Sequence, residues 1–411
     1  MNNMVSVAIM GHGVVGSGVA EILLTHKQKL FASIGEEIYI KKVLDLREFP
    51  DSPIADRFTK DFEEIINDLE IRIVVEVMGG LHPAYEFVKR CLKAGKSVVT
   101  SNKELVAAYG AELLEIARVE NVNFLFEASV GGGIPIIRPM NQCLVANIVD
   151  EVAGILNGTT NFILTKMIED GMQFGDALRL AQELGFAERN PSADIEGHDA
   201  CRKICILASM AFGKHVYPDM VHTEGITGIT LEDVKYAEKF GCVIKLIGRV
   251  KKLKNGMIDI ITAPMLVPFK SQLANIDNEF NGIMVRGDCT GDVVFYGKGA
   301  GKLPTASAVV ADIVDCCTHL KQRRFLYWAD GKGDNIINVN ESEFAMYVRA
   351  KGKDVAVKAE ALFGSIQSIT TPGKRTAFTT GKMPYGEFIK KINKLSADGV
   401  EILSTIRIGD L

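Results

Sequence analysis

The sequence predicts an α/β protein: a Rossmann-type domain with a parallel sheet, an α+β domain, and a small C-terminal βαββαβ module. Three observations carry this. The apolar run VSVAIM (5–10) stops at Gly11-His12-Gly13-Val14-Val15-Gly16, a GxGxxG turn, and helical spacing follows. Runs that are apolar on both faces then alternate with helical stretches to about residue 130, as in a parallel sheet covered on two sides. The last 70 residues read strand, helix, strand, strand, helix, strand.

The first domain covers 1–140. Its strands after VSVAIM are IYIKKVL (38–44), IRIVVEVM (71–78), SVVTS (97–101) and NFLFEAS (123–129). Helices are expected near FTKDFEEIINDL (58–69), near AYEFVKRCLKAG (84–95) and from Glu104 to Glu120. After Gly131-Gly132-Gly133 the one-for-one alternation ends, and 141–300 holds helices and the strand-like VDEVAGILN (149–157), CVIKLIGRV (242–250) and MIDIITAPML (257–266). The turn Gly297-Lys298-Gly299-Ala300-Gly301 precedes a long apolar helix, PTASAVVADIVDCC, which returns to complete the first domain over 300–330. GKGDN and NVNES supply a linker to the module at 342–411.

With 411 residues, 47% hydrophobic and 24% charged, the chain is long enough for two or three cores at about 150 residues per domain. A net charge of −4 argues against nucleic acid as a partner, which needs a basic face, and leaves small molecules. The N-terminus does not read as a signal peptide, and no apolar stretch approaches the 18 or so residues of a membrane span. Eight cysteines without CxxC or finger spacing read as reduced thiols, which places the chain in the cytoplasm. His198, Cys201 and Cys205 share a helix face, but the same spacing describes a buried stripe, the preferred reading.

GHGVVG follows a strand and opens a helix, the context a dinucleotide site requires: Gly11 for the tight turn, Gly13 for approach of a pyrophosphate, Gly16 for helix-on-strand packing. At the end of the second strand, Asp45 favours a free ribose 2′-hydroxyl and Arg47 a 2′-phosphate, so NAD and NADP both stay open. Asp45 also lies 29 residues beyond Gly16, further than the usual spacing of about 20. Lys103, in VVTSNKELVA, falls just past a strand at the carboxyl edge of the sheet, where such folds hold ligands.

FEASVGGGIPII (126–137) ends a strand and is expected to expose Glu127 beside carbonyls that can take a cation, or else to be a mere turn. NGTTNFILTKM (157–167) suits either a small polar ligand or a helix capped by Thr160 or Asn161. Asp199 and Lys203, four apart, stack on one helical face, as an exposed salt bridge or as a desolvated lysine that moves protons.

Taken in order, GHGVVGSGVAEIL, VVEVMGG, VVTSNKELVA, FEASVGGGIPII, NGTTNFILTKMI, GFAERNPSADIEGHDACRK and GAGKLPTASAVVADIV resemble homoserine dehydrogenase over residues 1 to about 320. The tail resembles an ACT domain, and no kinase is attached, as in monofunctional members. The resemblance implies reversible NAD(P)-dependent reduction of L-aspartate 4-semialdehyde to L-homoserine, toward threonine, methionine and isoleucine. It gives Lys203 the role of proton donor, sets Lys103 beside the nicotinamide and substrate oxygen, and has Glu188 and Asp199 hold the substrate, Glu188 at its ammonium group. Gly11, His12, Gly13, Val14, Val15, Gly185 and Gly301 match cofactor contacts, and Glu127, Val130, Gly132 and Ile134 match a structural sodium site. A homodimer or higher homo-oligomer is implied, with 141–300 as the substrate-binding and dimerisation domain and the tail as a further contact.

Hydride arriving at an aldehyde carbon leaves negative charge on oxygen, which a nearby ammonium both stabilises and protonates. Two departures stand out. Lys298 replaces a proline common in the GPGAG turn, and Asp354-Val355-Ala356 replaces the Pro-Gly opening of an ACT effector site. Without that glycine a ligand loses close approach to the backbone, so threonine feedback is not expected and a dimer contact is the tail's expected role. Two other readings remain: a regulator that binds nucleotide without turnover, and the same chemistry on another short hydroxy amino acid.

Overall fold

A computed structural model describes residues 4–324, 326–371 and 375–411. The chain divides into two compact units, one of 1–148, 205–218 and 295–332, the other of 149–204, 219–294 and 333–411.

The first unit opens with β1 (Met4–Met10), α1 (Val14–Thr25), α2 (Lys27–Ile34), β2 (Glu37–Leu44), β3 (Phe58–Thr59) and α3 (Glu63–Ile66). It continues through β4 (Ile71–Glu76), α4 (Ala84–Lys93), β5 (Ser97–Thr100), α5 (Lys103–Val119) and β6 (Phe124–Leu125). The six strands lie in the order β3-β2-β1-β4-β5-β6, all pairs parallel, the Rossmann-like arrangement expected of strands buried on both faces. The order reverses beside β1, so the Gly11–Gly16 turn sits at the crevice where such sheets bind ligands.

Two elements are shorter than the sequence suggests. The helix expected over 58–69 is one turn, α3, because Phe58–Thr59 pair with β2 instead. The strand expected over 123–129 stops after Leu125. There the Glu127 amide donates to Asp312, Ser129 Oγ to the Phe126 carbonyl, and the chain curls into a 3₁₀ turn.

The second stretch runs β7 (Val149–Ile155), α6 (Gly158–Glu169), α7 (Phe174–Glu183), α8 (Ser192–Ile195), α9 (His198–Phe212), β8 (His222–Thr223) and α10 (Leu231–Lys239). Next come β9 (Cys242–Lys252), β10 (Ile258–Pro268), β11 (Phe280–Gly287), β12 (Gly291–Lys298) and α11 (Lys302–Thr318). The tail is β13 (Glu343–Lys351), α12 (Val355–Phe363), β14 (Gln367–Thr371), β15 (Arg375–Thr379), β16 (Met383–Pro384), α13 (Tyr385–Ala397) and β17 (Glu401–Ile408).

The tail has the βαββαβ order with one additional two-residue strand, β16, ahead of α13, and its strands extend the middle segment's sheet. One mixed sheet of eleven strands runs β12-β11-β7-β9-β10-β17-β13-β15-β14, with β8 on β10 and β16 on β13 off this path, and with β10 and β17 parallel. The segment read as a linker is fastened: Ile336 bridges Ile258, and a Cβ at Gly331 would stand 1.9 Å from the His215 carbonyl oxygen. In the first unit, α11 packs on α1 so closely that a Cβ on Gly18 would lie 3.0 Å from Ala306 Cβ.

Candidate active site

The nucleotide-binding unit presents a turn built for close approach. Gly11 has φ of +98°, and a Cβ there would crowd the Met78 backbone at 3.0 Å; one on Gly16 would collide with the Gly11 carbonyl oxygen at 2.0 Å. A Cβ on Gly13 meets nothing within 4 Å. No side chain caps α1 and no acidic residue lies in its first turn, so its leading N–H groups and positive end face the open side of Gly13. These features fit a pyrophosphate group. Val14 and Val15 open the helix, and Gly301, with φ of +122°, opens α11.

Asp45, just past β2, takes the His12 amide on one oxygen at 2.7 Å and holds Arg47 through the Arg47 amide and guanidinium at 2.9–3.0 Å. The Arg47 hydrogen bonds outweigh desolvation and hold the Asp45 carboxyl well below the usual carboxylate range. The long interval from Gly16 to Asp45 is accounted for by α2, an extra eight-residue helix in the crossover. The His12 ring packs edge-on against Phe49 and Phe58, and desolvation pushes its pKa down despite Asp45. Beside it a cavity of about 680 Å³ opens between α1 (Ser17, Glu21, Leu24) and the loop 48–54.

Lys103 is the first residue of α5, and the preceding loop is held from below by Glu76, a buried carboxylate at the end of β4. Glu76 accepts from Thr100 Oγ1 at 2.6 Å and from the amides of Met78 and Gly79. Thr100 Oγ1 in turn accepts the Asn102 amide, and Asn102 caps α5 at Leu105. Desolvation raises the Glu76 pKa. Sequence reading passed over Glu76, although it sits in the quoted VVEVMGG motif and is an acidic residue inside an apolar strand.

Glu127 is buried, not exposed as the sequence suggested. Its carboxylate accepts the amides of Ile136, Ile137 and Arg138 at 2.6–2.8 Å. Gly132 has φ of +56° and a Cβ there would meet the Gly299 carbonyl at 2.1 Å, while the Gly133 amide donates to the Lys298 carbonyl. No described residue donates a hydrogen bond to the carbonyls of Val130, Gly132 or Ile134. Among the described residues no group of three His, Cys, Asp or Glu side chains could hold a metal, so His198, Cys201 and Cys205 do not form such a site, and both cysteines are buried.

In the other unit, Asp199 and Lys203 lie in α9 and both are buried, at 3% and 7% exposure, which removes the solvent-exposed salt bridge from consideration. Lys203 Nζ stands 2.8 Å from Asp199 Oδ2 and donates to the Leu156 carbonyl at 2.7 Å. Asn157 caps α6 by accepting the Thr160 amide, a role the sequence assigned to Thr160 or Asn161. Its Nδ2 donates to Asp199 Oδ2 at 2.9 Å and to Asp194 Oδ1 at 2.6 Å. Asp194 and Asn157 are thus part of the group and went unassigned from sequence.

Gly185, with φ of +78°, follows α7. Glu188, a little further on, is exposed, and its carboxylate makes no hydrogen bond to a described residue. Its segment is tied to α6 through Thr159 Oγ1 and the Phe186 carbonyl at 2.6 Å. A buried ammonium paired with one carboxylate, which an amide links to a second, can pass a proton to an oxygen and bind a small zwitterion.

Comparison with known proteins identifies the family. A family model described as "Homoserine dehydrogenase, NAD binding domain" matches residues 11–127, and one described as "Homoserine dehydrogenase" matches 135–314. The homoserine dehydrogenase of Neisseria gonorrhoeae is 40% identical over 359 residues, 85% of this chain and 82% of its own length. The crystal structure of a homoserine dehydrogenase from Thiobacillus denitrificans superposes with a TM-score of 0.90 at 35% identity, covering 100% of both chains. A hyperthermophilic archaeal homoserine dehydrogenase mutant in complex with NADPH matches at 27% identity and a TM-score of 0.65, over 76% of this chain and 97% of its own. The chain belongs to the homoserine dehydrogenase family of NAD(P)-dependent oxidoreductases.

Proposed function

We propose that Lys203 moves the proton when the chain interconverts L-aspartate 4-semialdehyde and L-homoserine, a step toward threonine, methionine and isoleucine. The observation that carries this is the buried Lys203 ammonium, fixed between the Asp199 carboxylate and the Leu156 carbonyl. When bound, the nicotinamide supplies or takes up the hydride at the carbonyl carbon. In the reducing direction Lys203 stabilises and then protonates the new alkoxide; in the oxidising direction its neutral amine takes the hydroxyl proton. Asp199 aims the amine. Glu188, whose exposed carboxylate is uncommitted to any described residue, receives the substrate ammonium. Lys103 works beside the nicotinamide, on the loop that Glu76, Thr100 and Asn102 hold rigid.

Gly11, His12, Gly13, Val14, Val15 and Gly16 hold the pyrophosphate of NAD or NADP, with Gly185 and Gly301 as further cofactor contacts and Asp45 and Arg47 at the ribose. A sodium ion is assigned to the turn of Glu127, Val130, Gly132 and Ile134. Three backbone amides already occupy the Glu127 carboxylate, so the carbonyls are its main donors. All eight cysteines are free thiols, which supports a cytoplasmic location, and no described helix is long and apolar enough to cross a membrane. We assign a homodimer built through 141–300, with the tail as a further contact, to be checked by light scattering.

The test is Lys203→Ala in a homoserine oxidation assay that follows nicotinamide absorbance. Turnover should fall by about 10²–10⁴-fold with cofactor affinity unchanged; full turnover would reject Lys203 as the donor.

A further inference from the structure

We infer that Arg407, on the last strand of the described chain, is a positioning residue for the joint between α8 and α9, the helices that carry Asp194, Asp199 and Lys203, and that it acts through Glu224. The inference rests on reading those three residues as the substrate site.

Arg407 is 2% exposed and lies in register between Met265 of β10 and Met346 of β13, where the tail joins the rest of its sheet. Its Nη1 donates to Glu224 Oε2 at 2.7 Å, and the other Glu224 oxygen is 2.6 Å from His222 Nε2. The guanidinium lies 4.5 Å from the Tyr385 ring centre and 5.3 Å from that of Phe344, and its Nε is buried with no acceptor among the described residues. A buried ion pair with a stranded N–H is a poor way to stabilise a sheet that apolar residues could fill. What the arginine does achieve is to hold Glu224 in one place.

The backbone that follows Glu224 rests directly on that joint. The Glu224 amide donates to the Thr262 carbonyl at 2.8 Å, and the Ile226 amide to the Ile195 carbonyl at 2.8 Å. A Cβ on Gly225 would stand 2.2 Å from the Ile195 carbonyl oxygen, and one on Gly197 3.0 Å from that of Glu224. Ile195–Gly197 joins α8, which bears Asp194, to α9, whose first turn bears Asp199 and whose next bears Lys203. Within that joint the Gly197 amide donates to the Asp194 carbonyl, and its own carbonyl accepts the Cys201 amide. Backbone meets backbone with no side chain between to absorb a shift, so displacement of Glu224 passes to the carboxylate–lysine group.

Full-length Arg407→Gln, Arg407→Lys, Glu224→Gln and the Arg407→Gln/Glu224→Gln double variant, assayed for homoserine oxidation, test this. Arg407→Gln and Glu224→Gln should each raise KM for homoserine about tenfold with KM for NAD(P) unchanged. The double variant should be no worse than either single one, and Arg407→Lys should recover most of the loss. Wild-type KM for homoserine in both single variants overturns the inference. So does an equal loss toward both substrates that tracks a fall in melting temperature, since that describes a structural role only. If Arg407→Gln fails to fold, the isosteric Glu224→Gln carries the same test. Lys203→Ala separates the two levels: if it turns over normally the site reading fails, whereas an inactive Lys203→Ala beside a normal Arg407→Gln and Glu224→Gln rejects only the role of Arg407.

Discussion

Gly13 and Gly16 stand three residues apart in one turn and answer to opposite constraints. A Cβ on Gly16 has nowhere to go, 2.0 Å from the Gly11 carbonyl oxygen, whereas one on Gly13 enters open space. Gly16→Ala should therefore cost about 3 kcal/mol or more of stability. Gly13→Ala should leave the melting temperature nearly unchanged and weaken nicotinamide-dinucleotide affinity about tenfold. Thermal melts and cofactor titration of the two variants check the contrast. The Asp45–Arg47 pair gives a second residue-scale expectation. Arg47 is the cation paired with Asp45, so Arg47→Ala should lower kcat/KM for NADP about tenfold or more relative to NAD, measured by initial rates side by side. The turn glycines and the Asp199–Lys203 pair could be read from spacing. Asp194 could not, because it precedes Asp199 by five residues on a separate helical turn, off the periodicity of α9. Asn157 was hidden differently: Asn157, Thr160 and Asn161 all have capping chemistry, and only the end of β7 selects among them.

Elements that bury both faces announce themselves in sequence, so β1, β4 and β5 were legible, while β6 was cut short by a side chain, Glu127, reaching amides nine to eleven residues ahead. No local pattern encodes that. The ends of β8 and β17 are fastened the same way, by pairings far apart in sequence. Desolvation raises the Glu224 carboxyl, but hydrogen bonds from His222 and Arg407 and the Arg407 charge overcome it and pull the pKa down to about 2. At Asp410, past β17, desolvation is likewise outweighed by the charge of Arg249 and a hydrogen bond from Lys382, with a pKa of about 2. Both folded values lie below the ordinary 4.5 and 3.8, so the unfolded chain binds more protons as pH falls through this window. The stability these groups confer is whole above about pH 4.5 and is lost toward pH 2. Asp410→Asn and Glu224→Gln should lower stability at pH 7 and flatten its decline from pH 5 to 2. Denaturant unfolding across that range measures both slopes; a variant as acid-sensitive as wild type would remove its carboxylate from the account.

At the scale of the molecule, the tail's topology could be read from sequence but its attachment could not, since a strand's propensity says nothing of which sheet it joins. The consequence is a shared core. Ala153, Ile247, Met265 and Met284 from the middle segment form one buried cluster with Met346, Val348, Phe378, Phe388 and Leu395 from the tail. Between them β10 and β17 pair, and the Gly409 amide donates to the Leu266 carbonyl. The cluster is continuous across that pairing, so the two should melt together. Phe388 in α13 and Met284 in β11 are both fully buried, at 0% and 1% exposure, and each truncation to alanine should cost about 2–5 kcal/mol. In scanning calorimetry Phe388→Ala and Met284→Ala should displace the same transition downward, leaving its cooperativity intact. If Phe388→Ala instead splits off a separate low-temperature transition while Met284→Ala does not, the tail unfolds on its own. Its strand β17 would then be a removable edge of the sheet and not part of its core.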